Sequence, residues 1–185
     1  MLKVPNVLAI MCAAVAMTAT AAELNFDSFL RADGYPLDPA YDEVRRLHEL
    51  EEQGLQLYRA TSYQRAYKIL SDPARHGMKR AQHAIALMHL NGEGIEKNPL
   101  VGVALLGLAG ENGDSKLQRQ YEKALKKLPK KYQPLVKQQV DYYVARYGTE
   151  VQGVACRRMA TTGSNLKYTL CIKYPGEYEL WEWTP

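Results

Sequence analysis

Residues 81–110 read AQHAIALMHLNGEGIEKNPLVGVALLGLAG, two apolar segments joined by a short polar turn. The second segment, residues 100–110, carries no polar side chain. A helix that is apolar on every face has to be covered on several sides, so this segment is the expected centre of a helical domain. It is too short to cross a bilayer, which takes about 20 apolar residues. Asn98-Pro99 sets its start, because Asn caps exposed N–H groups and Pro at the first helical position has no N–H to lose. Asp38-Pro39 gives the same signal for an earlier helix. Working outward, the punctuation predicts helices over residues 39–53, 63–75, 79–90, 99–111, 115–128 and 132–147. The short connections imply antiparallel neighbours.

Sliding the chain against itself reveals a period of 36 residues. Gly77 falls on Gly113, Leu70 on Leu106, Gln82 on Gln118, Ala66 on Gly102 and Ala74 on Gly110. Small residues thus recur where paired helices must approach closely. One unit also carries Ala81, Gln82, Ile85, Ala86, Met88 and His89, leading without a gap into Gly92, Gly94 and Ile95. Asn98, Val101, Gly102, Leu105, Ala109, Gly110 and Gly113 follow. This pattern resembles the Sel-one-like repeat family, α/α solenoids related to tetratricopeptide repeats. The small residues of the family are kept, while its charged and aromatic ones are replaced. Units on either side are degenerate, as terminal repeats of solenoids are. The resemblance implies a mainly α fold built as a solenoid of helical hairpins.

After residue 148 the texture changes. Residues 167–174 (KYTLCIKY) alternate as a strand does, and residues 161–165 (TTGSN) have the composition of a turn. A small C-terminal β-hairpin is therefore expected, with Cys156 and Cys171 on opposite arms. The chain has three cysteines, and the third, Cys12, lies in an N-terminal stretch that reads as a secretory signal peptide. That stretch has Lys3, an apolar run over residues 7–17, and Ala19-Thr20-Ala21 as a small-residue cleavage site. Its removal leaves one pair of cysteines for one disulfide in an oxidising compartment. Closing that loop is worth about 3 kcal/mol on chain-entropy grounds. Cys156, Arg157, Arg158, the Thr162-Gly163-Ser164 turn, Cys171 and Trp181-Glu182 together look like a C-terminal motif of small exported proteobacterial proteins. The expected organisation is a signal peptide (1–22), an extension (23–37), a helical repeat domain (38–148) and a hairpin segment (149–185).

Residues that could carry chemistry are scarce. The four histidines have no metal-ligand spacing, and no glycine-rich phosphate loop is present. No metal, cofactor or catalytic residue is expected. An unrecognised hydrolase using Ser164 is the least favoured alternative, since no nucleophile elbow surrounds that serine. Thirteen tyrosines against two phenylalanines read equally as ordinary packing at helix junctions and as a groove with hydroxyls turned outward. Tyr58, Tyr63 and Tyr67, with His83 and His89, are its candidate partner-binding residues. Charge is segregated along the chain: residues 23–55 carry a net of −6, and the stretch between Lys116 and Lys137 a net of +7. On that stretch Leu117, Tyr121, Leu125 and Leu128 form one apolar face. Lys123, Lys126, Lys127, Lys130 and Lys131 form a candidate basic surface for an anionic lipid or an acidic partner.

The sequence thus describes an exported protein, periplasmic or else secreted, that acts as a non-catalytic binding or adaptor module. Its expected partner is another envelope protein or peptide, and nucleic acid fits poorly with export. Intact mass of the exported protein should show a chain starting near Glu23 and two hydrogens lighter than its reduced form. A retained N-terminus or two free thiols would contradict this.

Overall fold

In the computed structural model, residues 39–160 and 167–185 are described. The signal peptide, the extension, the Asp38 cap and the Thr161–Asn165 turn with Ser164 lie outside these residues. All that follows concerns the unit Leu37–Pro185.

Among the described residues this unit has six α-helices and one two-stranded antiparallel sheet. They are α1 (Pro39–Arg59), α2 (Tyr63–Arg75), α3 (Lys79–Asn91), α4 (Pro99–Ala109), α5 (Ser115–Lys127) and α6 (Gln133–Tyr147), with a 3-10 turn at Lys130–Tyr132 before α6. Strands β1 (Val154–Ala160) and β2 (Lys167–Lys173) form the hairpin. Each helix packs on the next in sequence along α1 to α5, and α4 also packs on α6.

The apolar α4 is the covered centre, with every residue from Gly102 to Ala109 buried. Its start is built as its sequence requires: the Asn98 side chain accepts from the Val101 N–H at 3.2 Å, and Pro99 follows. Two of its glycines are places of close approach to neighbouring helices. A Cβ on Gly102 would lie 2.7 Å from Leu90 of α3, and one on Gly107 would lie 2.5 Å from Val140 of α6. Small residues let these backbones approach, and the apolar contacts so gained hold the helices together.

α3 has no capping side chain of its own, since Met78 occupies the N-cap. Glu51 of α1 supplies the cap, its carboxylate accepting from the Ala81 N–H at 3.1 Å. At the other end Gly92 adopts φ +79° and its N–H returns to the Met88 carbonyl, the usual glycine stop. α5 is capped by Asp114, which accepts from the N–H groups of Lys116 and Leu117.

The first helix runs six residues beyond its predicted end at Gln53. Gly54, the residue after that predicted end, is buried in mid-helix. A Cβ there would meet Leu70 of α2 at 2.6 Å, so this glycine serves packing rather than termination. The repeat has a structural counterpart at its turns. Gly77 and Gly113, one period apart, take φ +83° and +82°. Leu70 and Leu106 are both buried, but Gln82 is buried where Gln118 is exposed.

Cys156 and Cys171 are direct cross-strand partners and are joined by a disulfide. Within the strands only Val154 and Lys173 are buried, so the arms have little apolar packing to order them. The disulfide substitutes for it.

Gly94, in the α3–α4 turn, has φ +73°, and a Cβ there would lie 2.6 Å from the Gln64 backbone nitrogen. Gly94→Ala combines a left-handed backbone with a backbone clash. It should cost about 2 kcal/mol or more of stability, read as a lower urea midpoint at unchanged slope.

Candidate functional site

The five residues expected to line one groove occupy three separate places. Tyr58 and Tyr63 meet edge to face at the α1–α2 corner, ring centres 5.4 Å apart. The Tyr58 hydroxyl donates to Glu93 in the α3–α4 turn at 2.7 Å. Burial and the Glu93 carboxylate hold its pKa well above the usual tyrosine value. The pair therefore ties a turn to a helix corner. His83 sits on a different face, its Nε2 2.8 Å from the Gln120 side chain of α5.

Tyr67 and His89 do face each other, with ring centres 6.0 Å apart. The C-terminal segment comes to this place. Trp183 lies beside Tyr67 and packs edge-on against Tyr147 at 4.8 Å. The Tyr147 hydroxyl donates to the Glu182 carbonyl, and the Gln152 amide donates to the Glu179 carbonyl at 3.0 Å. Arg146 stacks on both Tyr142 and Trp181. His89 is buried with no hydrogen-bond partner on either ring nitrogen, and burial lowers its pKa, keeping it neutral at pH 7. Trp181 and Trp183, both among the last five residues, were the sequence signal for this strap, and periodicity could not reveal what they cover.

The basic residues stand differently. Lys123, Lys126, Lys127, Lys130 and Lys131 are all exposed, and among the described residues none forms an ion pair. The apolar face of α5 points inward as its spacing predicts, with Leu125 buried and Leu117, Tyr121 and Leu128 half-buried. Lys123 and Lys127, one turn apart, border an open groove of about 390 Å³ between α3, α4 and α5. Its floor is apolar and includes Leu87, Leu90, Leu106 and Ala124. A groove of this kind can take up an apolar surface while its rim attracts negative charge. Among the described residues no three of His, Cys, Asp and Glu converge as metal ligands, and no helix is long and apolar enough to cross a membrane.

A polar network that sequence reasoning missed fixes the geometry of these helices. The Lys79 ammonium, buried at the start of α3, donates to Glu111, to the Leu108 carbonyl at 3.2 Å and to Gln82 at 2.9 Å. Glu111 also accepts from the Thr149 N–H at 2.7 Å, at the entry to the hairpin segment. The Gln82 amide donates to the carbonyls of Ala74 and Tyr147, both at 2.8 Å. Burial pulls the Lys79 pKa down and the facing Glu111 carboxylate opposes that shift. Removing one member leaves the other buried and unpaired, at about 3–5 kcal/mol. Glu111→Leu alone should therefore destabilise strongly. Adding Lys79→Met to it should cost less than the sum of the two single variants in a denaturation cycle; strict additivity would show that the charges do not couple.

Comparison with family models, with curated proteins and with solved structures finds no match to this chain.

Proposed function

We propose that the protein is an exported, periplasmic, non-catalytic adaptor of the Sel-one-like type, and that its lysine-bordered groove docks an acidic amphipathic helix of another envelope protein. The carrying observation is the groove itself: an apolar floor from α3, α4 and α5 with Lys123 and Lys127 unpaired on its rim. Helices dock in such grooves through apolar residues at i, i+3, i+4 and i+7. Acidic residues beside that stripe would meet the lysines. Export is supported by the signal-like N-terminus and by a disulfide, which persists in oxidising compartments.

The tyrosine and histidine positions move to a supporting role in this reading. Tyr58 and Tyr63 shape a corner, and Tyr67 and His89 receive the protein's own C-terminal strap. A second reading, contact with an anionic lipid surface, is favoured by one observation: Leu135 is 58% exposed in α6, close in sequence to Lys130, Lys131 and Lys137.

A synthetic helix with leucine on one face and glutamate beside it should bind the mature protein, more weakly as salt rises. The double variant Lys123→Glu/Lys127→Glu should weaken binding at least about tenfold, roughly 1.4 kcal/mol, at low salt, with an unchanged circular dichroism spectrum. Equal affinity for the two proteins, or no binding by the wild type, would sink the peptide reading. Salt-sensitive sedimentation with anionic vesicles, in the absence of peptide binding, would replace it with the lipid reading.

A further inference from the structure

A second pocket, of about 300 Å³, lies between the start of α1, the α2–α3 corner, the end of β2 and the C-terminal strap. Two basic side chains line it while being at least nine-tenths buried: Lys173 is 5% exposed and His76 is 4% exposed. The rest of its wall includes Val44, Tyr178 and Leu180.

Lys173 is the unexplained group. Its register opposite Val154, on the buried face of the hairpin, is one where an apolar side chain would cost less. The ammonium donates to the Gln152 carbonyl at 2.5 Å and lies 4.2 Å from the Tyr178 ring centre, but it forms no ion pair among the described residues. That geometry leaves N–H groups uncommitted. Of the acidic groups nearby, Glu177 is exposed at the pocket's edge, while Glu43 and Asp72 are already engaged. Glu43 is held by two hydrogen bonds from Arg46, and Asp72 by Arg46 and Arg75. His76 donates its Nδ1 proton to the Asp72 carbonyl at 2.8 Å, the assignment a carbonyl acceptor requires, which leaves Nε2 without a hydrogen bond and 3.9 Å from Glu43.

We propose that this pocket binds a small organic carboxylate, its oxygens taking the uncommitted N–H groups of Lys173 and its apolar part lying between Val44, Tyr178 and Leu180. The site supplies what such a ligand needs, a desolvated cation beside an apolar wall. His76 adds a pH dependence. Its Nε2 is a lone pair when the ring is neutral, so an anion beside it favours ring protonation, and binding takes up a proton. The charged groups facing His76 are Asp72 and Glu43, which favour its protonation, and Lys173 and Arg75, which oppose it; Glu177 also lines the pocket.

The buried ammonium leaves a trace in stability. Burial pushes the Lys173 pKa down from 10.5 to about 8. The unfolded chain therefore binds more protons between those values, and stability rises with pH from about 8 to 10.5. A bound carboxylate favours the charged ammonium and flattens that rise.

Benzoate is the probe, with benzamide as its uncharged counterpart, added to the mature oxidised protein while Lys173 and His76 side-chain resonances are followed. Benzoate should give saturable shifts with a Kd on the order of 1 mM, benzamide should not, and lowering the pH from 7 to 5.5, a range in which Lys173 is already charged, should tighten binding. Lys173→Met should weaken benzoate more than about tenfold, and His76→Gln should retain binding but lose its pH dependence. Should Lys173→Met fail to fold, the benzamide and His76→Gln arms still decide. Equal shifts from both probes, no saturable shift with benzoate, or wild-type affinity in folded Lys173→Met would overturn the proposal.

Discussion

A helix with no polar side chain cannot face water on any side, and the domain is arranged to satisfy that condition for α4. Helices α3, α5 and α6 pack on it, and its glycines let two of them come close. The cost of bringing polar helix ends into this packing is met by Lys79, Gln82 and Glu111. Their hydrogen bonds reach α2, α4, α6 and the hairpin entry. Apolar burial provides the cohesion, while the polar network fixes how these elements meet. The groove proposed for docking follows from the same packing, because its floor lies where α3, α4 and α5 meet.

Local signals in the sequence carried most of the architecture. Asn98-Pro99, the glycine after α3 and the alternation of residues 167–174 each act over a few residues, and each has its counterpart in the structure, the strand covering Lys167–Lys173. The cysteine pairing was readable because only two cysteines remain once Cys12 is assigned to the signal peptide. A packing glycine and a stopping glycine are the same letter, so Gly54 carries no local sign that the first helix continues past it. What separates them is Leu70 on another helix, a fact no local window contains. Lys79 and Glu111 were unreadable for a related reason. They are 32 residues apart, and both look like ordinary charges near helix ends.

The candidate sites divide along the same line. Lys123 and Lys127 were visible as part of a basic run, and their spacing of one turn places them together on a rim. The tyrosines were counted correctly but not located, because composition says nothing about which rings meet. Charge segregation has also changed in meaning. In α1, Asp42, Glu43 and Glu49 are paired with Arg45 and Arg46, and Glu52 with Arg59 and Arg80, so much of its acidity is answered locally. The lysines of α5 have no such partners among the described residues, so their charge is left open to solvent. Lys173, hidden in a strand that read only as an arm of a hairpin, is the basic residue least explained by folding alone.

Hydrogen exchange on the mature, oxidised protein tests most directly whether α4 organises the domain. The amides of Val103 to Leu108 should be the slowest in the chain, opening only with global unfolding. Those of the hairpin should exchange through smaller openings even with the disulfide intact. Faster exchange in α4 than in α1 or α6 would contradict the account.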